Sequence, residues 1–284
     1  MISKGAQYLL MATFFYSLMN VSVKFVFHIP VMEVVFFRSL ICVTASFIHL
    51  KIIHQSLWGN NKPALILRGL FGVISMSAFF FTLQEAPLAS AVTIQYLSPI
   101  FTIILATFIV KERTSLIQYL FFVISFIGVA FIKWDDSRIS MMHLIAGITS
   151  AFFSGLSYNL IRKTANTEHP MVVVFYLPLI ALPISIVFTC FNFVMPEGTD
   201  WVFLFLAGAF TQLGQTFMTM ALQQEKAGSI VNLQYAGMIF SMFLGFMIFR
   251  ETYPVWSIAG MILIVGGIIG NVFYTRYIKN RRAV

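Results

Sequence analysis

Ten apolar stretches, each about as long as a membrane-crossing helix, occupy nearly the whole chain and leave only short polar breaks. They run at 5–27, 31–50, 64–84, 87–110, 115–132, 140–161, 170–191, 200–222, 227–249 and 254–275. A helix rises 1.5 Å per residue, so about 20 apolar residues cover the hydrocarbon thickness of a bilayer. This pattern predicts an all-α integral membrane protein with ten transmembrane helices. Composition agrees: 59% of residues are hydrophobic and 10% charged, against about 25% charged in soluble domains. So few charges could not cover a surface facing water, and lipid is the implied solvent. The first run is too long for a signal-peptide core and contains Tyr16, Asn20 and Lys24. It reads as the first helix of the mature protein.

The breaks are chemically consistent. Pro30, Pro63, Pro87, Pro170, Pro196 and Pro254 fall at or near the proposed ends, where a missing N–H costs little. Pro99, Pro178 and Pro183 fall inside spans and predict kinks or locally opened backbone. With the N-terminus in the cytoplasm, 13 basic residues face inward: Lys4, Lys51, Lys62, Arg68, Lys111, Arg113, Arg162, Lys163, Lys226, Arg276, Lys279, Arg281 and Arg282. Only Lys24, Lys133, Arg138 and Arg250 face outward, and Arg38 lies within a span. The excess of basic residues on one side orients the chain with both ends in the cytoplasm, in a cell inner (plasma) membrane. The net charge of +8 is therefore a topology signal, and nucleic-acid binding loses its support. Cys42 and Cys190 have no disulfide or metal spacing, and the five histidines form no metal motif. No cofactor and no metal are implied.

The sequence also resembles itself at a constant offset of 139 positions. Gln95-Tyr96 falls on Gln234-Tyr235, Lys111-Glu112 on Arg250-Glu251, Gly128 on Gly267, and Asn20 and Lys24 on Asn159 and Lys163. The two units are 1–136 and 137–284, the second ending in a short basic tail. Each holds five spans, an odd number, so the second enters the membrane from the opposite face. An inverted repeat of this kind is a signature of secondary transporters, where two exchangeable halves expose a midplane site to alternate sides.

With these motifs the chain resembles the drug/metabolite transporter superfamily, specifically the EamA-type proteins. The likeness is carried by Asn20 with Lys24, Phe37-Arg38, Thr82-Leu83, Ala89-Ser90-Ala91, Leu97-Ser98-Pro99-Ile100-Phe101, Lys111-Glu112-Arg113 and Gly128. In the second half it continues through Ala221-Leu222, Ala227-Gly228-Ser229 and Arg250-Glu251-Thr252. The resemblance implies a ten-helix bundle with a cavity between the halves, a monomer or homodimer, and small organic solutes as cargo. Met238 stands where the repeat of Pro99 would fall, a departure from symmetric kinks.

Polar side chains in hydrocarbon mark candidate sites, because each needs a partner or a wet cavity. Gln95 and Tyr96 lie about 10 Å from one face and Gln234 and Tyr235 about as far from the other, with Asn232 nearby. Gln212 and Gln215 sit near the middle of the eighth span. Tyr16 and Asn20 share a helix face, and Tyr158 and Asn159 are their counterparts. Arg38 is about 10 Å deep, placed for an anionic group of the solute or for a partner such as Glu33 or Glu85. Each of these could equally bind a neighbouring helix. Pro99, Glu112 and Glu251 are candidates for gating or for capping helix ends.

The reading is a secondary transporter of an amino-acid-like or amphiphilic metabolite, working by alternating access as an exporter or exchanger. Uptake of a cofactor-like or nucleotide-derived solute is the alternative. An enzyme would need a nucleophile–base set or a metal cluster in the bilayer, and neither GxSxG nor HExxH is present. A non-transporting membrane component would have no use for the repeat. Alanine at Gln95 or Gln234 is expected to impair flux more than folding.

Overall fold

The computed structural model describes residues 3–109, 116–135, 139–224 and 236–281. Among them every regular element is a helix: α1 (Lys4–Phe25), α2 (Val31–Ile52), α3 (Lys62–Glu85), α4 (Leu88–Gln95), α5 (Ser98–Ile109) and α6 (Leu116–Asp135), followed by α7 (Met141–Lys163), α8 (Pro170–Thr189), α9 (Asp200–Gln224), α10 (Ala236–Phe249) and α11 (Val255–Arg281). Among the described residues six segments are both long and apolar enough to cross a membrane: α2, α3, the α4–α5 stretch Leu88–Ala106, α7, α8 and α9. Shorter apolar helical segments occur at Val123–Ile132, Gly237–Phe249 and Val255–Gly267. The chain is a multi-pass membrane protein.

Local sequence sets the ends. Ser3, Asn61 and Ser140 accept from the backbone N–H three residues on and so open α1, α3 and α7. The third span begins at Lys62, two residues earlier than its apolar run. That shift carries Arg68 a turn and a half into the helix.

The fourth span is broken, as Pro99 predicts. Pro99 has no N–H to offer the carbonyl of Gln95, and its ring crowds the preceding turn. Accordingly α4 ends at Gln95 and α5 starts at Ser98. Tyr96 N donates to Thr93 O at 3.1 Å and Leu97 N to Ile94 O at 3.0 Å, a tightened turn between the two pieces. The matching position in the other half, Tyr235, lies outside the described residues. Pro178 and Pro183 behave differently, since α8 runs as one helix through both. Membrane helices tolerate proline where neighbouring groups take up the freed carbonyls.

Packing follows the offset seen in sequence. Helix α1 packs on α9, and α3 on α7; shifting by 139 positions turns the first pair into the second. The pairs α2–α8 and α6–α11 each map onto themselves, and α5–α7 maps onto α1–α10. Ser125 Oγ donates to Ile264 O across the α6–α11 contact, and the two residues are themselves 139 apart. That contact needs glycine. A Cβ at Gly128 would stand 2.6 Å from Gly260 O, so any side chain would force the helices apart.

Candidate functional site

The α1–α9 and α3–α7 pairs, with α2, α4 and α8, surround a cavity of about 140 Å³ in the middle of the bundle. That is on the order of ten times the smallest void that holds one water. Part of its wall is apolar, formed by Met19, Met76, Phe79, Phe80, Leu177 and Met218. The polar part comes from Tyr16, Asn20, Arg38, Arg68, Gln95, Tyr96, Ser154, Tyr158 and Gln215.

Two arginines dominate it. Arg38, from α2, is 2% exposed and Arg68, from α3, is 1% exposed. Arg38 Nε donates to Thr211 Oγ1 at 2.9 Å, and its guanidinium lies 5.8 Å from the centre of the Phe80 ring. Arg68 Nη2 donates to Gln215 Oε1 at 2.9 Å. Thr211 and Gln215 are four apart on α9 and share a face, so one helix holds both cations. Arg38 Nη1 and Arg68 Nε and Nη1 have no hydrogen-bond partner. Among the described residues the ion pairs are Lys24–Glu251 and His28–Asp200, so neither arginine meets a carboxylate there. The partners considered for Arg38 are not used: Glu33 instead accepts Val194 N–H at 2.9 Å.

Arg68 is a correction to the sequence reading, which counted it with the basic residues of the inner face. A lysine or arginine near a span end ordinarily snorkels to the interface, and hydropathy cannot tell that arrangement from an inward one. The available signal was its depth. Arg68 lies as far past Lys62 as Arg38 lies past Val31, within one residue.

The other expected residues divide. Tyr16, Asn20, Tyr96, Tyr158 and Gln215 line the cavity. The carbonyl Oδ1 of Asn20 faces no donor. Tyr16 is set by Gly214, where a Cβ would come 2.9 Å from the phenol ring. Gln95 also lines the cavity, but its amide is engaged. Nε2 donates to Ser154 Oγ at 2.8 Å, and Oε1 accepts from Ser150 Oγ at 2.6 Å. Ser75 completes this serine cluster by bonding Ser154 at 2.6 Å. Gln95 thus ties α4 to the α3–α7 pair.

Asn159 and Gln212 are outside the cavity lining. Asn159 Nδ2 donates to Thr102 O at 2.9 Å and Gly155 O at 3.0 Å, pinning α7 to α5 just past the break. Gln212 Nε2 donates to Ser46 Oγ at 2.8 Å, joining α9 to α2. Glu112, Asn232, Gln234 and Tyr235 lie outside the described residues.

Glu251 sits at the end of the bundle where α1 and α3 finish. Its carboxylate pairs with Lys24 Nζ at 2.5 Å and accepts Leu88 N–H at 2.9 and 3.1 Å, and Tyr253 OH at 2.7 Å. Lys24 also donates to Ala86 O at 2.6 Å. One side chain therefore caps α4 and ties α1, the α3–α4 turn and the α10–α11 turn together.

A family model described as the EamA-like transporter family matches residues 3–134 and again 141–273. The pseudopaline exporter CntI of Pseudomonas aeruginosa is 28% identical over 93% of this chain and 94% of its own length. Human solute carrier family 35 member G1 is 28% identical over 94% of this chain and 78% of its own. A solved crystal structure superposes with TM-score 0.72 at 18% identity, covering 98% of this chain and 99% of the other. At that identity the structural likeness carries the fold alone.

Proposed function

The chain belongs to the EamA-like transporter family, and from that premise we propose that it exports a small organic metabolite by alternating access through the central cavity. The observation that carries this reading is the cavity itself, a buried polar chamber enclosed by helices of both halves. Buried charge in a membrane bundle is costly and marks a solute path. The units 1–136 and 137–284 act as the two exchanging halves, five spans each and opposite in orientation. Both termini are cytoplasmic, the membrane is the cell inner membrane, and a single chain suffices for transport because helices of both halves line the cavity within one copy. Chemistry on the solute plays no part. Export is preferred over uptake because CntI, an exporter by name, aligns over nearly its entire length.

In this scheme the Lys24–Glu251 ion pair closes one end. It joins a residue of the first half to one of the second, and opening that end requires breaking it. Proteoliposomes loaded with unlabelled metabolites and given a labelled panel outside test the reading by counterflow. Saturable exchange that depends on the protein is expected. No exchange of any panel member above protein-free vesicles, from protein that elutes as a single folded species, would overturn it.

A further inference from the structure

The two arginines point to what the cavity holds. Each spends one nitrogen's N–H on α9, and three other guanidinium nitrogens have no partner: Arg38 Nη1, Arg68 Nε and Arg68 Nη1. Helix-to-helix glue does not explain this. A glutamine could donate to Thr211 or Gln215 equally well, without a charge that must be held away from water. A guanidinium keeps its charge when buried and presents a planar fork shaped to carboxylates. Two such cations, neither paired with a carboxylate among the described residues, leave a doubly positive, low-dielectric chamber that an anion would balance.

The anchors of the two cations lie close enough together for one solute to reach both. Thr211 and Gln215, the anchors of the two guanidiniums, are one helical turn apart, about 6 Å along the axis. Carboxyl groups separated by on the order of four or five bonds, at about 1.5 Å per bond, span a distance of that order, enough for one solute to reach from one anchored cation toward the other. The carbon skeleton between them would meet the apolar part of the lining, which includes Met19, Met76 and Leu177. We infer that the transported solute carries two carboxylates on a short apolar skeleton, one bound by Arg38 and the other by Arg68. This rests on the transporter reading and names its substrate class.

The test measures binding in detergent, so its outcome is separate from flux. The full-length purified chain is titrated by calorimetry with the series succinate, glutarate, adipate and pimelate, with pentanoate and hexanoate as the single-carboxylate matches of glutarate and adipate, and with inorganic phosphate. At least one dicarboxylate of intermediate length is expected to bind roughly 10- to 100-fold more tightly than its monocarboxylate match. Arg38→Gln and Arg68→Gln should each erase that preference, while Arg38→Lys and Arg68→Lys, which keep the charge, should retain part of it. Folding of each variant is read from its elution profile and from its melting temperature without ligand. Equal binding of mono- and dicarboxylates by the unaltered protein would overturn the assignment. So would phosphate binding as tightly as the best dicarboxylate, or Arg→Gln variants that keep the preference. Counterflow of a neutral solute with no dicarboxylate binding would leave the transporter reading standing and this one refuted.

Discussion

Replacing Glu251 by glutamine keeps the side chain's shape and removes its charge at the closed end of the bundle. Two losses follow from the geometry. The bonds to Leu88 N–H at 2.9 and 3.1 Å and to Tyr253 OH at 2.7 Å become neutral ones, about half as strong, a cost of about 1 kcal/mol. Lys24 loses its counter-ion, and with side chains only 13% and 9% exposed solvent compensates little. Partner removal at a buried pair costs about 3–5 kcal/mol in full. Ala86 O still accepts from Lys24, and the lysine can swing toward water, so about 1–2 kcal/mol is a fair share. The closed arrangement should weaken by about 2–3 kcal/mol, or about 30- to 150-fold in the closed-to-open ratio. The assay uses Ser17, on the cavity lining, as a reporter through Ser17→Cys with Cys42→Ala and Cys190→Ser. Labelling by a membrane-impermeant maleimide is timed from the side that carries Phe27 and Thr252. Glu251→Gln should speed labelling at least tenfold. A rate within twofold of the parent would refute the idea that this ion pair holds the end shut.

Two further outcomes follow from the site. Gln95→Ala removes two hydrogen bonds to Ser150 and Ser154 and should lower stability by about 1–2 kcal/mol, seen as a reduced melting temperature in detergent, with flux falling only in proportion to folded protein. Gly214→Ala places a methyl against the Tyr16 ring; the KM for counterflow should rise several-fold while the melting temperature shifts little, and an unchanged KM would remove Tyr16 from the solute's path.

The apolar runs located the helices because hydrocarbon permits only a narrow range of lengths and compositions. The pairs α1–α9 and α3–α7 are related by the same 139-position offset that the sequence shows, and the break beside Pro99 followed from one missing N–H. What stayed hidden was helix rotation. In a span apolar on nearly every face, the sequence carries little signal for which side looks inward. Gln212 and Gln215 illustrate this: three residues apart on α9, one reaches Ser46 of α2 and the other faces the cavity. Asn20 and Asn159 are repeat partners, yet only Asn20 lines the cavity, so the symmetry of the halves does not extend to the role of each side chain. Gln95 was legible as a midplane amide, but its engagement depends on Ser75, Ser150 and Ser154, which small-residue helix contacts bring together. Its alanine variant is therefore expected to affect folding first, the reverse of the sequence-based expectation.

Alternation between two closed ends is the claim on which the rest depends, and a distance across the Lys24–Glu251 end reports it directly. Spin labels at Phe27→Cys and Thr252→Cys, with Cys42→Ala and Cys190→Ser, in proteoliposomes should give two resolved distances. A transported solute should change their proportions, and Glu251→Gln should favour the longer. A single distance, unmoved by any solute and by Glu251→Gln, would contradict it.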